Sequence, residues 1–336
     1  MEAQLNKAKD VLESVDFQAL QKSDPYEKKI GQIKSQLDHA QNFTKAGIKL
    51  YEMFTTTELG TALLQIQGTV KAFFNADLPG SFVFATNHLL RLYGKDLDWV
   101  IASFYPKDTL SPQGTKADFL SDQFGILAGN PERALIGSIN TNKGSFWSDG
   151  DLTRKGTPLR LAILARSKLG PVDFYTADGG FGVGGRENLQ ERLSLDLIRG
   201  EIETGFYSLK NGGIFLLKIF TFFTPEMLQY LELIKRSFDR FYIVKPSTSA
   251  PMNSEHYILG IGFKKEASLA DLKNLPSIFP TETLEISPEI LQWQEAYAQR
   301  QIYELTNFVE GIGQSVPTFD PNMVQKLDQS KRIKTA

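Results

Sequence analysis

The chain has 336 residues, and its 41% hydrophobic and 23% charged residues are typical of a folded globular protein rather than a disordered chain. The 37 Lys and Arg residues stand against 39 Asp and Glu, so at a net charge of -2 any contact with nucleic acid requires a local basic patch. The sequence has no Cys and only 3 His, which excludes disulfides, thiol catalysis and Cys-ligated zinc, and we expect no metal site.

Residues 1–44 are predicted to form a polar helical extension. They lack the apolar stretch of a signal peptide, and the sequence nowhere runs to 18 apolar residues, so we expect neither secretion nor membrane insertion. Apolar spacing predicts one helix over 3–20, and Asp24 followed by Pro25 predicts the start of a second that ends near 41. We interpret this pair as packing on a neighbouring surface or a partner chain; a disordered arm is the alternative.

From residue 69 onwards, short apolar runs alternate with helical stretches. This alternation predicts an α/β protein whose mostly parallel sheet has helices on both faces. The predicted strands cover 70–76, 99–105, 172–177, 213–220, 241–245 and 257–263, and the predicted helices cover 81–93, 186–210 and 225–238. The last two strands are joined by a Pro- and Ser-rich loop without a helix, so they could pair antiparallel at one edge.

Two further regions differ in character from this alternation. Residues 107–150 are irregular and rich in Gly, Asn, Ser and Asp, and a loop of this length inside an α/β domain is usually functional. Residues 267–315 are mainly helical, with Ser287 predicted as an N-cap before Pro288. The basic end from residue 326 is predicted to be frayed.

Ligands of an open α/β sheet bind beyond the carboxyl ends of its strands, so polar residues there are candidates for a site. The first candidate is the turn 75–82, in which Pro79 and Gly80 force a sharp bend. The helix that follows would present its N-terminus to an anion such as a carboxylate. A plain strand-to-helix turn is the alternative reading.

Two charged residues form the next candidates. Asp178 lies at the tip of the third predicted strand, where a carboxylate is either functional or a helix cap. Lys218 is the single charge inside the apolar run 213–220, and Lys is almost never buried without a partner. It either extends to the strand end or occupies a site that lowers its pKa.

The fourth candidate is the Pro-stiffened loop that begins at Lys245 and leads to Glu255 at the start of the last strand. Taken alone, it reads as a polar loop. A literal G-x-G-x-x-G at 180–185 also suggests a dinucleotide site, with Glu201 or Glu203 as the acid. We expect that acid to fall inside one long helix over 186–210, which argues against a nicotinamide oxidoreductase.

Together these stretches resemble the FtsJ-like family of S-adenosylmethionine-dependent RNA ribose 2′-O-methyltransferases, whose catalytic set is Lys-Asp-Lys-Glu. Asp178 in Thr-Ala-Asp-Gly-Gly matches the family's Asp, Lys218 its second Lys, and Glu255 its Glu. Lys49 in Gly-Ile-Lys-Leu-Tyr-Glu is similar to its first Lys, with Lys45 as the fallback. The resemblance covers 45–263 and is nearest to the cap methyltransferases of large cytoplasmic DNA viruses.

The resemblance implies a Rossmann-like methyltransferase domain over 45–265, between the extension 1–44 and a C-terminal helical extension over 266–336. It implies S-adenosylmethionine as cofactor and S-adenosylhomocysteine as product. Asp149-Gly150-Asp151 is similar to the segment that closes on the adenine in the cap-methylating branch. The implied cofactor-binding residues are Asn75, Asp77, Leu78, Pro79, Gly80, Ser81, Phe82, Tyr105, Asp151 and Asp178.

For catalysis, our hypothesis is that neutral Lys218 removes the 2′-hydroxyl proton. We expect Lys49 and partial burial to lower the pKa of Lys218, while Asp178 and Glu255 orient the two lysines. The basic segment 143–168 and the loop after residue 244 are the candidate RNA surface, although each charge could equally be an ordinary solvated one. The predicted RNA-binding residues are Arg154, Lys155, Lys245, Ser247, Ser249, Asn253 and Ser254.

The resulting prediction is an enzyme that methylates the ribose of the cap-proximal nucleotide of mRNA. Methylation of rRNA or tRNA ribose is the alternative substrate, and a catalytically silent RNA-binding scaffold is the alternative class. We expect capped RNA as the partner, a possible protein partner at the terminal helices, and no membrane contact. The absence of Cys fits a cytoplasmic location; a viral protein would also reside in the virion or at cytoplasmic replication sites.

Overall fold

A computed structural model describes residues 1–37, 44–105, 122–141, 144–180, 182, 186–278 and 285–321. The predicted end of the second helix at 41, most of the G-x-G-x-x-G segment and the predicted frayed end fall outside these described residues. The strands are β1 (Val70–Asn75), β2 (Leu97–Ala102), β3 (Gly137–Thr141), β4 (Gly144–Ser148), β5 (Val172–Ala177), β6 (Leu209–Ile219), β7 (Phe238–Val244) and β8 (His256–Phe263). The first helices are α1 (Glu2–Asp10), α2 (Phe17–Ser23), α3 (Pro25–Leu37), α4 (Lys45–Thr56), α5 (Leu59–Gln65) and α6 (Ser81–Leu92). The later helices are α7 (Ile126–Gly129), α8 (Thr157–Leu169), α9 (Gln190–Ser208), α10 (Pro225–Ser237), α11 (Lys265–Ile278) and α12 (Pro288–Val309).

The central sheet has the strand order β2-β1-β5-β6-β8-β7. The pairs β1–β2, β1–β5 and β5–β6 are parallel, whereas β8 is antiparallel to both β6 and β7. The predicted mostly parallel α/β sheet is therefore confirmed, including the antiparallel pair at one edge. A loop without a helix is enough to join β7 to β8, because antiparallel neighbours need no crossover.

Helices cover both faces of this sheet. On one face α4, α5 and α6 contact one another, and on the other α8, α9, α10 and α11 form a second contacting group. The central strands are buried on both sides, which explains their nearly continuous apolar runs. Aromatic rings fill the interior between strands: Phe73 packs edge-on against Tyr175, and Tyr175 stacks on Phe215.

The structure contains elements that were not predicted from the sequence, among them a hairpin and a helix. The region predicted as irregular includes the antiparallel hairpin β3–β4, which forms a separate two-stranded sheet. Helix α8 also escaped prediction because Leu159 and Ile163 are exposed while its buried face includes the small Ala162 and Ala165. Its apolar residues therefore do not trace a single stripe in the sequence.

The terminal helices pack on the rest of the protein. The predicted helix over 3–20 is wrong in detail, because a 3₁₀ turn after α1 breaks it and Asp16 then caps α2 through the Ala19 amide at 3.0 Å. The predicted Asp24 cap of α3 is confirmed by its bond from the Tyr26 amide at 3.1 Å. Ser287 precedes α12 as predicted, but its side chain makes no capping hydrogen bond.

These terminal helices join the core instead of forming a disordered arm. Helix α1 contacts α12, and Leu5 is buried between them with Ala298 and Leu305. Tyr26 and Ile30 of α3 belong to the same apolar cluster as the central strands. The division at residues 44 and 265 stays a prediction. None of the helices in the described part of the chain has the length and apolar character that a membrane span requires.

Candidate active site

The register of the sheet brings the predicted catalytic residues together at the carboxyl edge. Ala177 of β5 lies opposite Leu217 of β6, so the next residues, Asp178 and Lys218, emerge side by side. Lys218 in turn lies opposite Tyr257 of β8. Because β8 is antiparallel, its first residues meet the same edge, and the residue before the strand is Glu255.

Lys218 and Asp178 form a buried ion pair. The Lys218 Nζ lies 3.2 Å from Asp178 Oδ1, and their side chains are only 12% and 13% exposed. The ammonium also donates to the Asp178 backbone carbonyl at 2.8 Å. The lysine inside the apolar strand therefore has the partner that its burial requires.

Lys49 and Glu255 form a second pair beside the first. Lys49 Nζ lies 2.5 Å from Glu255 Oε1, and each side chain is 13% exposed. The fallback, Lys45, is 47% exposed and pairs with Glu27 at 3.1 Å instead. Of the two lysines of α4 that the sequence left open, the geometry thus places Lys49 in the site.

A fifth residue, Tyr257, binds the first pair and lies close to the charge of Glu255 in the second. Its hydroxyl donates to Asp178 Oδ1 at 2.9 Å, and its ring is fully buried. Burial, followed by the charges of Asp178 and Glu255, raises the pKa of Tyr257 well above its usual value. Tyr257 was not identified from the sequence, although its place opposite Lys218 follows once the β6–β8 register is known.

The charges of the site shift the pKa values of Glu255 and Lys218 in opposite directions. Burial alone would raise the pKa of Glu255, but Lys49, Lys218 and Lys245 outweigh it and lower that pKa to about 2. For Lys218, burial acts to lower the pKa, yet Asp178 and Glu255 raise it above its usual value. The prediction of a lowered Lys218 pKa is therefore wrong for the free protein, because two carboxylates face this lysine.

The loop before Glu255 is held together by Lys245. The Lys245 ammonium donates to the Asn253 carbonyl at 2.7 Å, to the Glu255 carbonyl at 2.9 Å, and to the Asn253 side chain. An ammonium has three protons, so these bonds use all of them. Burial lowers the pKa of Lys245 to about 7, with Glu255 opposing that shift and Lys49 adding to it.

The other predicted RNA contacts in this loop also bind within the protein. The Ser249 hydroxyl donates to Glu255 Oε1 at 3.0 Å, and the Ser247 hydroxyl accepts the Thr318 amide at 3.1 Å. The Ser254 hydroxyl accepts from Gln301 at 3.0 Å. Together with Asn253, these side chains fix the loop in place.

Glu52 of α4 binds the same loop from the other side. Its carboxylate accepts the Ser247 amide at 2.8 Å and the Thr248 amide at 2.9 Å. Glu52 follows Lys49 by one helical turn, so α4 supports both Glu255 and the loop that presents it. This carboxylate was not singled out from the sequence, where it is one charge of a helical run.

The turn after β1 was predicted to bind cofactor, and its side chains are mostly buried. The Asp77 carboxylate accepts the Phe82 amide at 2.9 Å and the Val83 amide at 3.0 Å. Burial raises the pKa of Asp77 well above its usual value, and those two amides oppose the shift. The expectation that these α6 amides face a ligand anion is wrong, because Asp77 already caps them.

Other side chains of this turn are likewise engaged within the protein. The Asn75 amide donates to the Tyr175 hydroxyl at 2.9 Å, and the Ser81 hydroxyl lies 2.7 Å from that of Thr44. Leu78, Pro79, Gly80 and Phe82 are buried. Ala76 has a φ of 53°, a left-handed conformation that is uncommon for a residue other than Gly and that clusters at ligand sites. The backbone of the turn is thus the part that a ligand could contact.

The segment predicted to contact adenine lies at the end of β2. The Tyr105 amide donates to the Asp149 carbonyl at 2.6 Å, and the Tyr105 ring stacks on Trp147 at 6.0 Å between centroids. A side chain at Gly150 would collide with the Ser103 carbonyl, so glycine permits this close approach. An exposed aromatic pair therefore stands beside an acidic segment.

Charged residues of this segment pair with one another. Arg154 binds Asp149 and also lies 3.0 Å from Asp151, so the predicted RNA contact is partly neutralised by acids. Asp151 accepts in addition from the Thr153 hydroxyl at 2.6 Å. Lys155, by contrast, is exposed.

The alternative dinucleotide site is not supported. Helix α9 runs unbroken from Gln190 to Ser208, so Glu201 and Glu203 lie in mid-helix, as the sequence analysis expected. A dinucleotide site requires an acidic residue at the end of the strand that follows the helix, and neither glutamate occupies such a position.

The residues at this edge fit S-adenosylmethionine. The stacked Tyr105 and Trp147 offer an aromatic face for adenine, and Asp149 and Asp151 offer acceptors for the adenosine. The backbone of the strained turn at Ala76 and the Asp178 carboxylate would hold the methionine part, which carries cationic groups. The fold and this edge have the arrangement that we expect of an S-adenosylmethionine-dependent methyltransferase.

Residues 131–263 match the family model described as FtsJ-like methyltransferase. The chain is 34% identical over 249 residues to the "Probable methyltransferase EP424R" of African swine fever virus, covering 70% of this chain and 55% of that protein. It is 38% identical over 134 residues to the "Cap-specific mRNA (nucleoside-2'-O-)-methyltransferase 1" of Xenopus laevis, covering 39% and 16% of the two chains. The similarly named methyltransferase 2 of Danio rerio is 28% identical over 295 residues, covering 82% and 38%. The chain thus spans about half the length of the viral relative.

Proposed function

We propose that this protein is an S-adenosylmethionine-dependent RNA ribose 2′-O-methyltransferase that acts on the cap-proximal nucleotide of mRNA. The observation that carries the proposal is the enclosure of two neighbouring Lys–carboxylate pairs, with Tyr257 bound to Asp178, at the carboxyl edge of the sheet. The names of the Xenopus laevis and Danio rerio relatives support the choice of capped mRNA.

The reaction requires a ribose hydroxyl to lose its proton as its oxygen attacks a methyl carbon. Bound S-adenosylmethionine supplies that carbon on a sulfonium. Lys218 would take the O–H proton at Nζ, so that the oxygen could accept the methyl group that the cofactor would supply as it leaves as S-adenosylhomocysteine. Alignment of the hydroxyl and removal of its proton are the tasks left to the protein.

Lys218 is the residue that accepts the proton in this scheme. Asp178 and Glu255 hold its amine mainly as ammonium in the free protein, since both raise its pKa. Only the neutral fraction can act as base, and that fraction grows as the pH rises. Asp178 fixes the position of the amine through its side chain and its carbonyl.

Lys49 and Glu255 orient the ribose beside this base. Their pair is buried, and Ser249 and Lys245 hold Glu255 from the loop. The pKa of Glu255 near 2 keeps it ionised, so it accepts hydrogen bonds from hydroxyl groups throughout the physiological range. We assign Lys49 and Glu255 to substrate alignment on this basis.

A scaffold without activity and an rRNA or tRNA methyltransferase are the competing candidates. The complete and paired set of Lys49, Asp178, Lys218 and Glu255 favours an enzyme over a scaffold. Capped mRNA is favoured over rRNA or tRNA by the relatives' names alone.

A protein partner at the terminal helices and a cytoplasmic location remain part of the proposal. The partner is supported by Leu291 and Tyr303, large side chains that are exposed on α12. The absence of Cys supports a reducing compartment.

The decisive experiment measures transfer of labelled methyl groups to matched capped and uncapped RNA, followed by nucleoside mapping of the product. We expect a 2′-O-methylnucleoside next to the cap and little transfer to uncapped RNA. Equal methylation of both RNAs would reject the cap-proximal assignment. Methylation of a base, or cofactor binding without any transfer to RNA, would reject the ribose methyltransferase itself.

A further inference from the structure

Glu201 is a fully buried carboxyl group that the reaction scheme above does not use. It lies in the middle of α9, behind the turn that follows β5. Its Oε1 accepts the Gly179 amide at 3.0 Å. Its Oε2 has no hydrogen-bond partner within the described ranges of the chain. Burial of a carboxyl oxygen without a hydrogen-bond partner costs folding free energy, so the presence of Glu201 here requires an explanation.

The amide that Glu201 binds belongs to the same peptide unit that anchors Lys218. The peptide between Asp178 and Gly179 presents its carbonyl to the Lys218 ammonium at 2.8 Å and its N–H to Glu201 at 3.0 Å. The unit is therefore held from both sides. A hydrogen bond at the N–H polarises the carbonyl and strengthens its bond to the ammonium.

Gly179 provides the space for this arrangement. A side chain at Gly179 would overlap the Glu201 carboxyl group. Its φ is not positive, so the need for glycine is one of space. The absence of a side chain directly after Asp178 thus lets Glu201 reach the N–H side of the peptide whose carbonyl binds Lys218.

Glu201 also connects to the turn after β1. Its backbone carbonyl accepts the Tyr175 hydroxyl at 2.9 Å, and that hydroxyl accepts the Asn75 amide at 2.9 Å. The Asp178 amide in turn donates to the Asn75 carbonyl at 3.2 Å. One buried network therefore links the strand end that carries Asp178 with the predicted cofactor turn.

We propose that Glu201 is a positioning residue for methyl transfer, which fixes the Asp178–Gly179 peptide and through it the Lys218 amine. This inference rests on the proposed function for its effect on rate, but the hydrogen bond that it concerns is present without substrate. Glu201 touches neither cofactor nor RNA in this scheme.

The charge state of Glu201 indicates which substitution should keep the hydrogen bond from the Gly179 amide. Burial raises its pKa to about 8, while Lys218 and the Gly179 amide oppose the rise and Asp178 adds to it. Tyr175, the remaining titratable group against it, donates to its carbonyl. At pH 7 the side chain is mainly a neutral acid, and Gln has the same shape, no charge and the same acceptor oxygen.

The test compares Glu201→Gln with Glu201→Leu. Leu removes the acceptor, so we expect kcat to fall at least ~10-fold with KM for the cofactor nearly unchanged, whereas Gln keeps kcat close to that of the wild type. Glu191→Leu is the matched control. Glu191 is a buried acid of the same helix that binds the Phe223 and Thr224 amides instead, and its loss should lower stability alone.

The second readout is the amide proton signal of Gly179 in NMR spectra recorded against pH. In the wild type it should titrate with a midpoint near 8, as Glu201 ionises, and in Glu201→Gln it should not titrate there. A Gly179 signal that behaves identically in both proteins would overturn the proposal, even if Glu201→Leu fails to fold. Wild-type kcat in a folded Glu201→Leu protein would also overturn it. Because the NMR measurement needs no substrate, absence of methyl transfer by the wild type would count against the proposed function alone.

Discussion

Lys218 and Lys49 lie in the same site, but different parts of the molecule hold them. Lys218 belongs to β6, which pairs with β5 on one side and β8 on the other, so the sheet register fixes its place. Lys49 projects from α4 to Glu255, which precedes β8 at the end of a loop. That loop depends on side-chain bonds from Lys245, Ser249 and Glu52.

The two lysines therefore differ in the role that we propose for them: Lys218 removes the proton, and Lys49 acts with Glu255 to align the substrate. The strands on both sides of β6 fix the backbone of Lys218, so loss of its side chain removes mainly the amine. Glu255 depends on several hydrogen bonds, so each change around it moves the carboxylate by a limited amount. We therefore expect one large effect at Lys218 and graded, smaller effects around Glu255.

The largest effect is expected for Lys218→Ala. Removal of a general base costs at least ~10²-fold in the rate of methyl transfer, and cofactor binding should be retained because the turn after β1 is untouched. Single-turnover transfer and calorimetric cofactor titration measure the two quantities. Lys210→Ala, at the other end of the same strand, is the control. Transfer by Lys218→Ala within a few-fold of the wild type would reject its role as base.

Lys49→Ala should cost less, about 10-fold in transfer rate, because it removes one charged hydrogen bond from Glu255 while Lys218 and Lys245 still face that carboxylate. Lys45→Ala, one helical turn earlier, removes a lysine that is paired with Glu27 and should leave the rate unchanged. The same assay reports both variants. An equal loss in both would show that the effect comes from the helix and not from the pair.

Lys245→Met should reduce transfer several-fold without changing how RNA binding responds to salt. Its protons are donated within the loop, so the substitution loosens Glu255 but removes no phosphate contact. RNA affinity measured at several salt concentrations checks the second part. If the slope of log affinity against log salt concentration were smaller in magnitude by about one than in the wild type, Lys245 would bind a phosphate.

Lys155→Ala should have the smallest effect on methyl transfer, and, unlike Lys245→Met, it should change the salt dependence of RNA binding. This lysine is exposed, and we expect unchanged transfer at saturating RNA with a salt slope lowered by about one. An unchanged slope would remove Lys155 from the RNA surface.

The fold and the paired residues could be predicted because they depend on patterns that the sequence carries directly. Strand and helix alternation gave the sheet, and a charge inside the apolar run of β6 marked Lys218. Tyr257 was missed because its importance arises only from the β6–β8 register. Helix α8 was missed because exposed Leu159 and Ile163 obscure its buried face.

Availability of polar groups could not be predicted either. The side chains of Lys245, Ser249 and Asp77 have hydrogen-bonding groups that could bind a ligand. In the structure each of these groups is hydrogen-bonded to neighbouring atoms of the protein. The predicted direction of the Lys218 pKa shift was wrong for a related reason. The sequence shows which charges exist, but the distances decide which of them dominate, and at this site two carboxylates outweigh burial.

The rate of single-turnover methyl transfer as a function of pH tests the central claim most directly. Because the pKa of Lys218 lies above its usual value, its neutral fraction increases tenfold with each pH unit below that pKa. We predict that the logarithm of the rate rises with a slope close to one between about pH 6.5 and 9 in the wild type. A rate that is independent of pH over this range, with chemistry shown to be rate-limiting, would contradict proton removal by Lys218.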